Sequence, residues 1–261
     1  MSLPLPHHLA QTRAQGLVQG EPVAQFELGS QRNFIYLLID WQAREAVLMD
    51  CRAEFKTVLD ALHTHSLRLT QVWLTHSHHD HVSGLEALIQ QRPKLKIYVH
   101  PEELQRLPAA WAQWPQIQHL QDGQELNVGE IKARVLHTPG HSRGECCYHV
   151  AATASEFRQT RNSTRDEGIT SLPISPNTKL EVGYLFTGDT LFIRDCGRTD
   201  FDGGSNEEMF ASLQRIKQLP PETVILPGHH YKPECASTLK KEMQESPPLK
   251  CTSVAELASL E

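Results

Sequence analysis

The sequence predicts an α/β protein in which two β-sheets pack face to face and carry helices on their outer sides. Two observations lead to this fold class. Short apolar or β-branched segments follow one another as strands in both halves of the chain, and segments with helical spacing of apolar residues lie between them. A sheet must bury its apolar faces against another layer, so these elements favour a layered sandwich.

In the first half of the chain, apolar runs bounded by polar turns predict strands, and apolar residues at helical spacing predict helices. The expected strands are Val23–Leu28, Phe34–Asp40, Glu45–Asp50, Gln71–Thr75 and Leu95–His100. The expected helices are Glu54–His65, Val82–Gln91 and Glu102–Leu107.

The second half has a roughly similar order of elements, without a sequence repeat that would demonstrate duplication. Its expected strands are Glu125–Val128, Ile131–Thr138, Cys146–Val150, Tyr184–Thr187 and Thr223–Pro227. Its expected helices are Glu207–Lys217 and a closing helix, Lys232–Gln244.

These elements place one domain at 23–245, preceded by an N-terminal arm at 1–22 and followed by a C-terminal tail at 246–261. Residues 152–181 are rich in Ser and Thr and have no sustained period, so they are expected to form an inserted loop.

The 261 residues carry 25 Lys and Arg against 31 Asp and Glu, a net charge of −6, which argues against nucleic-acid binding. The sequence shows no transmembrane span and no signal peptide, and its six cysteines form no C-x-x-C pair. We therefore expect a soluble, cytoplasmic protein with reduced thiols and without a membrane partner.

A histidine-rich segment, 75–81, lies between an expected strand and an expected helix. In extended backbone alternate side chains share a face, so His76 and His78 can bind one metal ion. Asp80 and His81, where the chain turns into the helix, can face a second ion. Neutral imidazole and carboxylate suit zinc, and also iron or manganese. His79 points to the opposite side and is expected to be solvated or to support the ligands indirectly.

Three later strands end in a turn of small residues followed by a side chain that can bind a metal. These side chains are His141 after Thr-Pro-Gly, Asp189 after Thr-Gly and His229 after Pro-Gly. Each is weak evidence alone, because a histidine at a strand end is often structural. Together they predict a site at one edge of the sheets.

The order HSHHDH, TPGH, TGDT and PGHHY resembles the metallo-β-lactamase fold, and within it the glyoxalase II-like branch, from about Val23 to Tyr231. The resemblance implies an αββα sandwich of two mixed sheets with a two-metal site at their loop ends. It also implies a set of ligands for each ion. The first ion would be held by His76, His78 and His141, the second by Asp80, His81 and His229, and Asp189 would bridge them.

Such a site makes hydroxide available near neutral pH and polarises a substrate carbonyl. The expected function is hydrolysis of a hydroxyacylglutathione-type thioester by a metal-bound hydroxide, with Asp80 and Asp189 as catalytic carboxylates. A structural or degenerate metal site in a binding protein is an alternative, as are other hydrolases of the fold, including lactonase and nuclease types.

Two residues are expected to bind the glutathione part of the thioester. Arg198 stands where glyoxalase II proteins have a lysine, and Tyr231 matches a glutathione-contacting tyrosine of that family. A structural ion pair of Arg198 with Asp195 or Asp200 is the alternative.

Two departures from glyoxalase II leave a second enzyme class open. Few residues follow His229, so most of that family's helical C-terminal domain is expected to be missing. The segment from Cys196 to Phe201, Cys-Gly-Arg-Thr-Asp-Phe, is similar to persulfide dioxygenases of the same fold. Those enzymes use one iron held by the equivalents of His76, His141 and Asp189.

Overall fold

The computed structural model describes residues 17–152 and 182–260. Within them, two six-stranded sheets pack against each other. The first sheet contains the strands of the N-terminal half in chain order. They are β1 (Val23–Leu28), β2 (Asn33–Asp40), β3 (Glu45–Met49), β4 (Arg68–Trp73), β5 (Lys96–Val99) and β6 (Ile117–His119). The pairs β1–β2 and β2–β3 are antiparallel and the others are parallel, so the sheet is mixed.

The second sheet contains the later strands in the order β12-β11-β10-β9-β8-β7. They are β7 (Glu125–Val128), β8 (Ile131–His137), β9 (Cys146–Val150), β10 (Tyr184–Gly188), β11 (Val224–Pro227) and β12 (Ser237–Thr238). This sheet is also mixed, because β10 and β11 run parallel while their neighbours pair antiparallel.

Side chains alternate between the two faces of each strand, and the buried apolar residues form three clusters. One face of each sheet contributes to the layer between the sheets, where Phe34, Tyr36, Trp73, Tyr148 and Phe186 are buried. The opposite faces pack against helices, in one cluster on the first sheet and another on the second. The predicted αββα sandwich is therefore confirmed, with two mixed sheets inside and helices outside.

Most helices lie on the outer faces because each presents an apolar stripe there. The helix Lys56–Thr64 buries Val58 and Leu62, and the helix Asn206–Ile216 begins at the capping side chain of Ser205, which accepts a hydrogen bond from the Glu208 amide at 3.2 Å. The helices are α1 (Lys56–Thr64), α2 (His79–Val82), α3 (Leu85–Gln91), α4 (Asn206–Ile216), α5 (Leu239–Glu245), α6 (Pro247–Lys250) and α7 (Val254–Ala258). Two 3₁₀ helices are Pro101–Gln105 and Ala109–Gln113.

The single helix predicted at Val82–Gln91 is wrong, since α2 ends at Val82 and α3 begins at Leu85. The break lies at Gly84, whose amide donates to the Cys51 carbonyl at 2.9 Å instead of continuing a helical ladder. A Cβ at this position would overlap the Arg52 carbonyl, so the close approach requires glycine.

The closing helix predicted at Lys232–Gln244 also begins later, at Leu239. Ser237 and Thr238 instead extend the second sheet by pairing with β11. The Thr238 side chain then caps α5 by accepting a hydrogen bond from the Lys241 amide at 3.3 Å. Pairing at the sheet edge therefore overrides the helical pattern that precedes it.

The domain limits at 23–245 stay a prediction from the sequence. Most of the N-terminal arm and the insertion at 152–181, apart from Ala152, lie outside the described residues. Of the expected tail, residues 247–258 contain α6 and α7, and Leu249 and Leu257 are buried in the cluster around α4. No helix in the described part of the chain is long and apolar enough to span a membrane.

Four strands end at one edge of the sandwich and direct their following residues toward one another. Hydrogen bonds hold the two sheets together there: the Cys146 amide donates to the Thr75 carbonyl at 2.8 Å, and the Phe34 amide donates to the Gly228 carbonyl at 2.8 Å. The segments after β4, β8, β10 and β11 all lie at this edge.

Candidate functional site

The histidine-rich segment leaves β4 in extended backbone and then enters α2. His76 and His81 are fully buried, whereas His79 is exposed. The rings of His76 and His78 lie 4.8 Å apart, as expected for alternate residues of an extended segment. The chain turns at His78, so Asp80 and His81 approach from the first turn of α2.

The first group of donor atoms contains His76, His78 and His141. The Nδ1 atom of His78 lies 2.9 Å from Nε2 of His141, which follows the Thr-Pro-Gly turn after β8. The second group contains Asp80, His81 and His229, with 3.2 Å between the Nε2 atoms of the two histidines. Oδ2 of Asp80 is 3.4 Å from Nε2 of His229.

Asp189 lies between the two groups. Its Oδ1 is 3.5 Å from Nε2 of His81, and its Oδ2 is 3.5 Å from Nε2 of His141 and 3.3 Å from Nε2 of His229. Gly228 allows this placement, because a Cβ there would overlap Oδ1 of Asp189. The carboxylate can therefore contact ions held by either group.

Hydrogen bonds on the outer side fix which ring nitrogen of each histidine faces the centre. The Nδ1 atom of His141 donates to the Arg198 carbonyl at 2.7 Å, and that of His229 donates to the Gln31 carbonyl at 3.0 Å. Nδ1 of His81 lies 2.9 Å from Oδ2 of Asp50. With Nδ1 donating outward, each ring directs Nε2 inward, where the neutral imidazole presents a lone pair.

His76 is oriented through a short chain of hydrogen bonds. The Thr75 hydroxyl donates to Oδ2 of Asp50 at 2.8 Å and accepts from Nδ1 of His76 at 3.0 Å. Asp50 also accepts a hydrogen bond from the Thr75 amide at 2.7 Å. One carboxylate at the end of β3 thus orients both His76 and His81.

The electrostatic environment differs across the site. Burial holds the pKa of His76 well below its usual value, and it lowers the pKa of His78 to about 4, with help from the charges of His141 and Arg106. Burial also opposes charge on His81, but Asp189, Asp50 and Asp80 outweigh it and raise its pKa to about 9. The carboxylates therefore supply the negative charge that a bound cation needs.

The donor set fits divalent metal binding. Among the described buried atoms, Nε2 of His76 and Oδ1 of Asp189 have no hydrogen-bond partner. Nε2 of His81 lies 3.2 Å from Nε2 of His229 while both rings use Nδ1 for outer contacts, so a proton or a metal ion must lie between the two nitrogens. Buried imidazole and carboxylate atoms without partners are the expected arrangement for a metal centre.

A cavity of about 760 Å³ opens above these groups and is lined by His78, Asp80, His141, Asp189 and His229. Arg198 and Tyr231 also line it. The ring of Tyr231 stacks on His229 with centroids 4.7 Å apart, and burial with the nearby Asp189 and Asp80 charges raises its pKa to about 12. The arrangement can hold a small molecule against the donor groups.

Arg198 forms the ion pair that the sequence left open, with Asp200 as its partner. Its guanidinium also lies 4.3 Å from the ring centroid of Phe201. Both contacts hold the side chain at the wall of the cavity, so ion pairing and a place in the cavity are compatible.

Sequence reasoning missed three buried acids that support the site: Asp50, Glu103 and Glu145. Oε1 of Glu145 accepts a hydrogen bond from the Asp189 amide at 2.8 Å, and burial raises the pKa of this carboxyl well above its usual value. A local sequence signal could have identified Asp50, because this residue lies at the end of a strand, as Asp189 does. Glu103 has none, since its segment, Pro-Glu-Glu-Leu, is typical of a surface helix.

The chain is similar to known proteins in sequence and in fold. The family model described as the metallo-beta-lactamase superfamily matches residues 37–153 and 175–229. Hydroxyacylglutathione hydrolase from Gloeobacter violaceus is 33% identical over 199 residues, which are 76% of this chain and 64% of that enzyme. The "Probable polyketide biosynthesis zinc-dependent hydrolase BaeB" from Bacillus velezensis is 31% identical over 76% of this chain and 73% of its own.

A solved structure, ETHE1 from Myxococcus xanthus, has a similar fold. It superposes with a TM-score of 0.70 at 25% identity, covering 91% of this chain and 88% of ETHE1. By contrast, this chain spans slightly less than two thirds of the Gloeobacter enzyme. The family match covers more than half of the chain and the segments that carry all seven donor residues, and on that basis the chain belongs to the metallo-beta-lactamase superfamily.

Proposed function

We propose that this protein is a metal-dependent hydrolase that cleaves a hydroxyacylglutathione-type thioester. The observation that carries the proposal is the pair of three-residue donor groups with Asp189 between them, at the floor of a cavity. The name of the Gloeobacter relative supports the substrate class.

We assign His76, His78 and His141 to one divalent ion, Asp80, His81 and His229 to a second, and Asp189 to both. Zinc is the first choice, in keeping with the name of the Bacillus relative, and iron and manganese are the alternatives. When bound, such ions lower the pKa of a coordinated water and polarise a substrate carbonyl.

The two proposed catalytic carboxylates have different environments. Burial raises the pKa of Asp80, but the His81 charge and the hydrogen bond from Asn33, 2.7 Å long, outweigh it, so the pKa lies below its usual value. Asp80 is therefore ionised at neutral pH and can accept a proton from a water attacking in the cavity. Asp189 is held by Glu145 and stays ionised between the histidines.

The cavity wall suits the thiol part of the substrate. Arg198 offers a cation for a carboxylate, and Tyr231 offers a hydroxyl beside the donor groups. We place both residues in contact with the polar groups of a glutathione moiety, with the acyl carbonyl over Asp189. A cytoplasmic location remains a prediction from the sequence.

A persulfide dioxygenase is the second candidate. It is favoured by the solved structure of ETHE1, a persulfide dioxygenase, which has a TM-score of 0.70 and covers 91% of this chain. The similarity of the segment from Cys196 to Phe201 to persulfide dioxygenases points the same way.

One experiment separates the candidates. The purified protein is assayed with S-lactoylglutathione for thiol release and, separately, with glutathione persulfide for oxygen uptake, and its metal content is measured. We expect thiol release and close to two metal ions per chain, both lost on chelation. Oxygen uptake with persulfide, one iron per chain and no thiol release would replace the hydrolase with the dioxygenase.

A further inference from the structure

Arg106 follows the 3₁₀ helix Pro101–Gln105 and lines the same cavity as Arg198, although it belongs to a different part of the chain. The residue lies at the surface, yet only 26% of its side-chain surface is exposed. An arginine turned partly into a cavity rather than toward solvent is placed to meet a ligand.

The ion pair that the structure gives Arg106 is weak. Its guanidinium lies 3.6 Å from Oδ2 of Asp202, whose side chain is 92% exposed, so water screens the pair. Arg198, by contrast, is paired with Asp200 and stacked over Phe201. Of these two cavity arginines, Arg106 therefore loses the weaker ion pair when its guanidinium binds an anion.

Gly203 supports the position of Arg106 at the rim. Its backbone has a φ of +81°, and a Cβ there would come within 3.1 Å of a terminal guanidinium nitrogen of Arg106 and of Cγ of Arg143. Glycine therefore lets the guanidinium lie against the 198–204 loop. Arg143 packs on the same glycine, but it is exposed and does not line the cavity.

We propose that Arg106 is a specificity-determining residue that binds a carboxylate of the substrate at the cavity rim, as a second anion subsite beside Arg198. The substrate class is then a thioester whose thiol part carries two separated carboxylates. A glutathione thioester has this pattern, with one carboxylate on its γ-glutamyl end and one on its glycine end. This inference rests on the proposed hydrolase function.

The test compares wild-type protein with Arg106→Ala and with the matched control Arg143→Ala, which removes an equal charge beside the same glycine. Each protein is assayed with a glutathione thioester and with the thioesters of two analogues, γ-glutamylcysteinylglycinamide and 4-aminobutyrylcysteinylglycine. Each analogue lacks one of the two carboxylates.

With the glutathione thioester we expect Arg106→Ala to raise KM about tenfold, the scale of one lost charged hydrogen bond, with kcat within about twofold. Arg143→Ala should change neither. With the thioester that lacks the carboxylate held by Arg106, wild type and Arg106→Ala should become equal. An equal penalty on all three substrates, or no penalty at all, would overturn the inference.

Calorimetric measurement of S-methylglutathione binding distinguishes a failure of the Arg106 inference from a failure of the hydrolase proposal. If wild-type protein cleaves no thioester, the hydrolase proposal fails, but a weaker binding to Arg106→Ala than to Arg143→Ala still supports the subsite. If wild type cleaves the thioester and both variants bind and react alike, only the Arg106 inference fails. No binding to wild type contradicts both.

Discussion

Oε1 of Glu103 accepts a hydrogen bond from the Gly144 amide at 2.8 Å, joining two segments that each carry a donor histidine. Its Oε2 accepts from the Ser77 amide at 2.7 Å, and Oε1 also accepts from the Ser142 hydroxyl at 2.7 Å. The side chain is buried and lies between the histidine-rich segment and the loop that carries His141. One carboxylate thus fixes the distance between His78 and His141.

We expect Glu103→Gln to loosen this connection, because its NH₂ group cannot accept the hydrogen bond of a backbone amide. The metal-free protein should lose about 2 kcal/mol of unfolding free energy, the scale of one unsatisfied buried donor. Metal affinity should fall about 10- to 100-fold, as for other residues that orient metal ligands. Chemical denaturation and metal titration measure the two effects.

Glu102→Gln is the matched control, since Glu102 is the exposed neighbour on the same 3₁₀ helix. It should change neither quantity. Glu103→Gln with unchanged metal affinity would show that the connection does not position the ligands.

Asp189→Ala should abolish turnover and reduce the metal content at both donor groups, because the carboxylate lies within 3.5 Å of histidines in each. His79→Ala should leave metal content nearly unchanged, since His79 is exposed. Elemental analysis of both purified variants gives the answer. Greater metal loss in His79→Ala would refute the face assignment of the histidine-rich segment.

Local sequence signals predicted all the described strands except β6 and β12, and most of the helices. They also singled out the seven proposed metal ligands, because these residues lie in segments that follow strands. The supporting acids could not be found in this way. Glu103 bonds to Ser77, 26 positions away, and Glu145 to Asp189, 44 positions away, so their roles depend on how the two sheets meet. The late start of α5 has the same cause, since Ser237 and Thr238 pair with β11.

Arg198→Ala should raise KM about tenfold while kcat changes less, because a contact distant from the reacting carbonyl stabilises bound substrate and transition state alike. Asp200→Asn is the informative partner variant: it releases the guanidinium from its ion pair, so KM should stay the same or fall. Steady-state kinetics distinguish the two. A fall in kcat without a change in KM for Arg198→Ala would contradict a binding role.

Cysteine reactivity should follow burial. No disulfide joins the six cysteines, all of which lie in the described part of the chain. Cys51, Cys146 and Cys147 are fully buried, and burial raises the pKa of Cys147 to about 12, so they should resist alkylation. Cys196 lines the cavity and should be labelled by iodoacetamide, and S-methylglutathione should slow its labelling. Mass spectrometry of the labelled native protein locates the sites, and early labelling of Cys147 would contradict the fold.

Glu242 on α5 should make stability depend on pH. Its side chain is fully buried, and burial raises the pKa of its carboxyl above the usual value despite the charge of Arg194. Because the folded protein holds this proton more tightly than the unfolded chain, the contribution of Glu242 is fully present below the unfolded pKa of about 4.3. That contribution is lost as pH rises through the higher folded pKa.

Glu242→Gln keeps an oxygen to accept the hydrogen bond that the Arg194 amide donates to Glu242, 2.6 Å long, and cannot ionise. We expect the variant to be more stable than wild type by about 1 kcal/mol at pH 8, with the difference vanishing toward pH 4. Glu245→Gln, on the same helix but exposed, should show no such trend. Urea unfolding at a series of pH values measures this, and a variant less stable than wild type at pH 8 would show that the ionised carboxylate stabilises the fold.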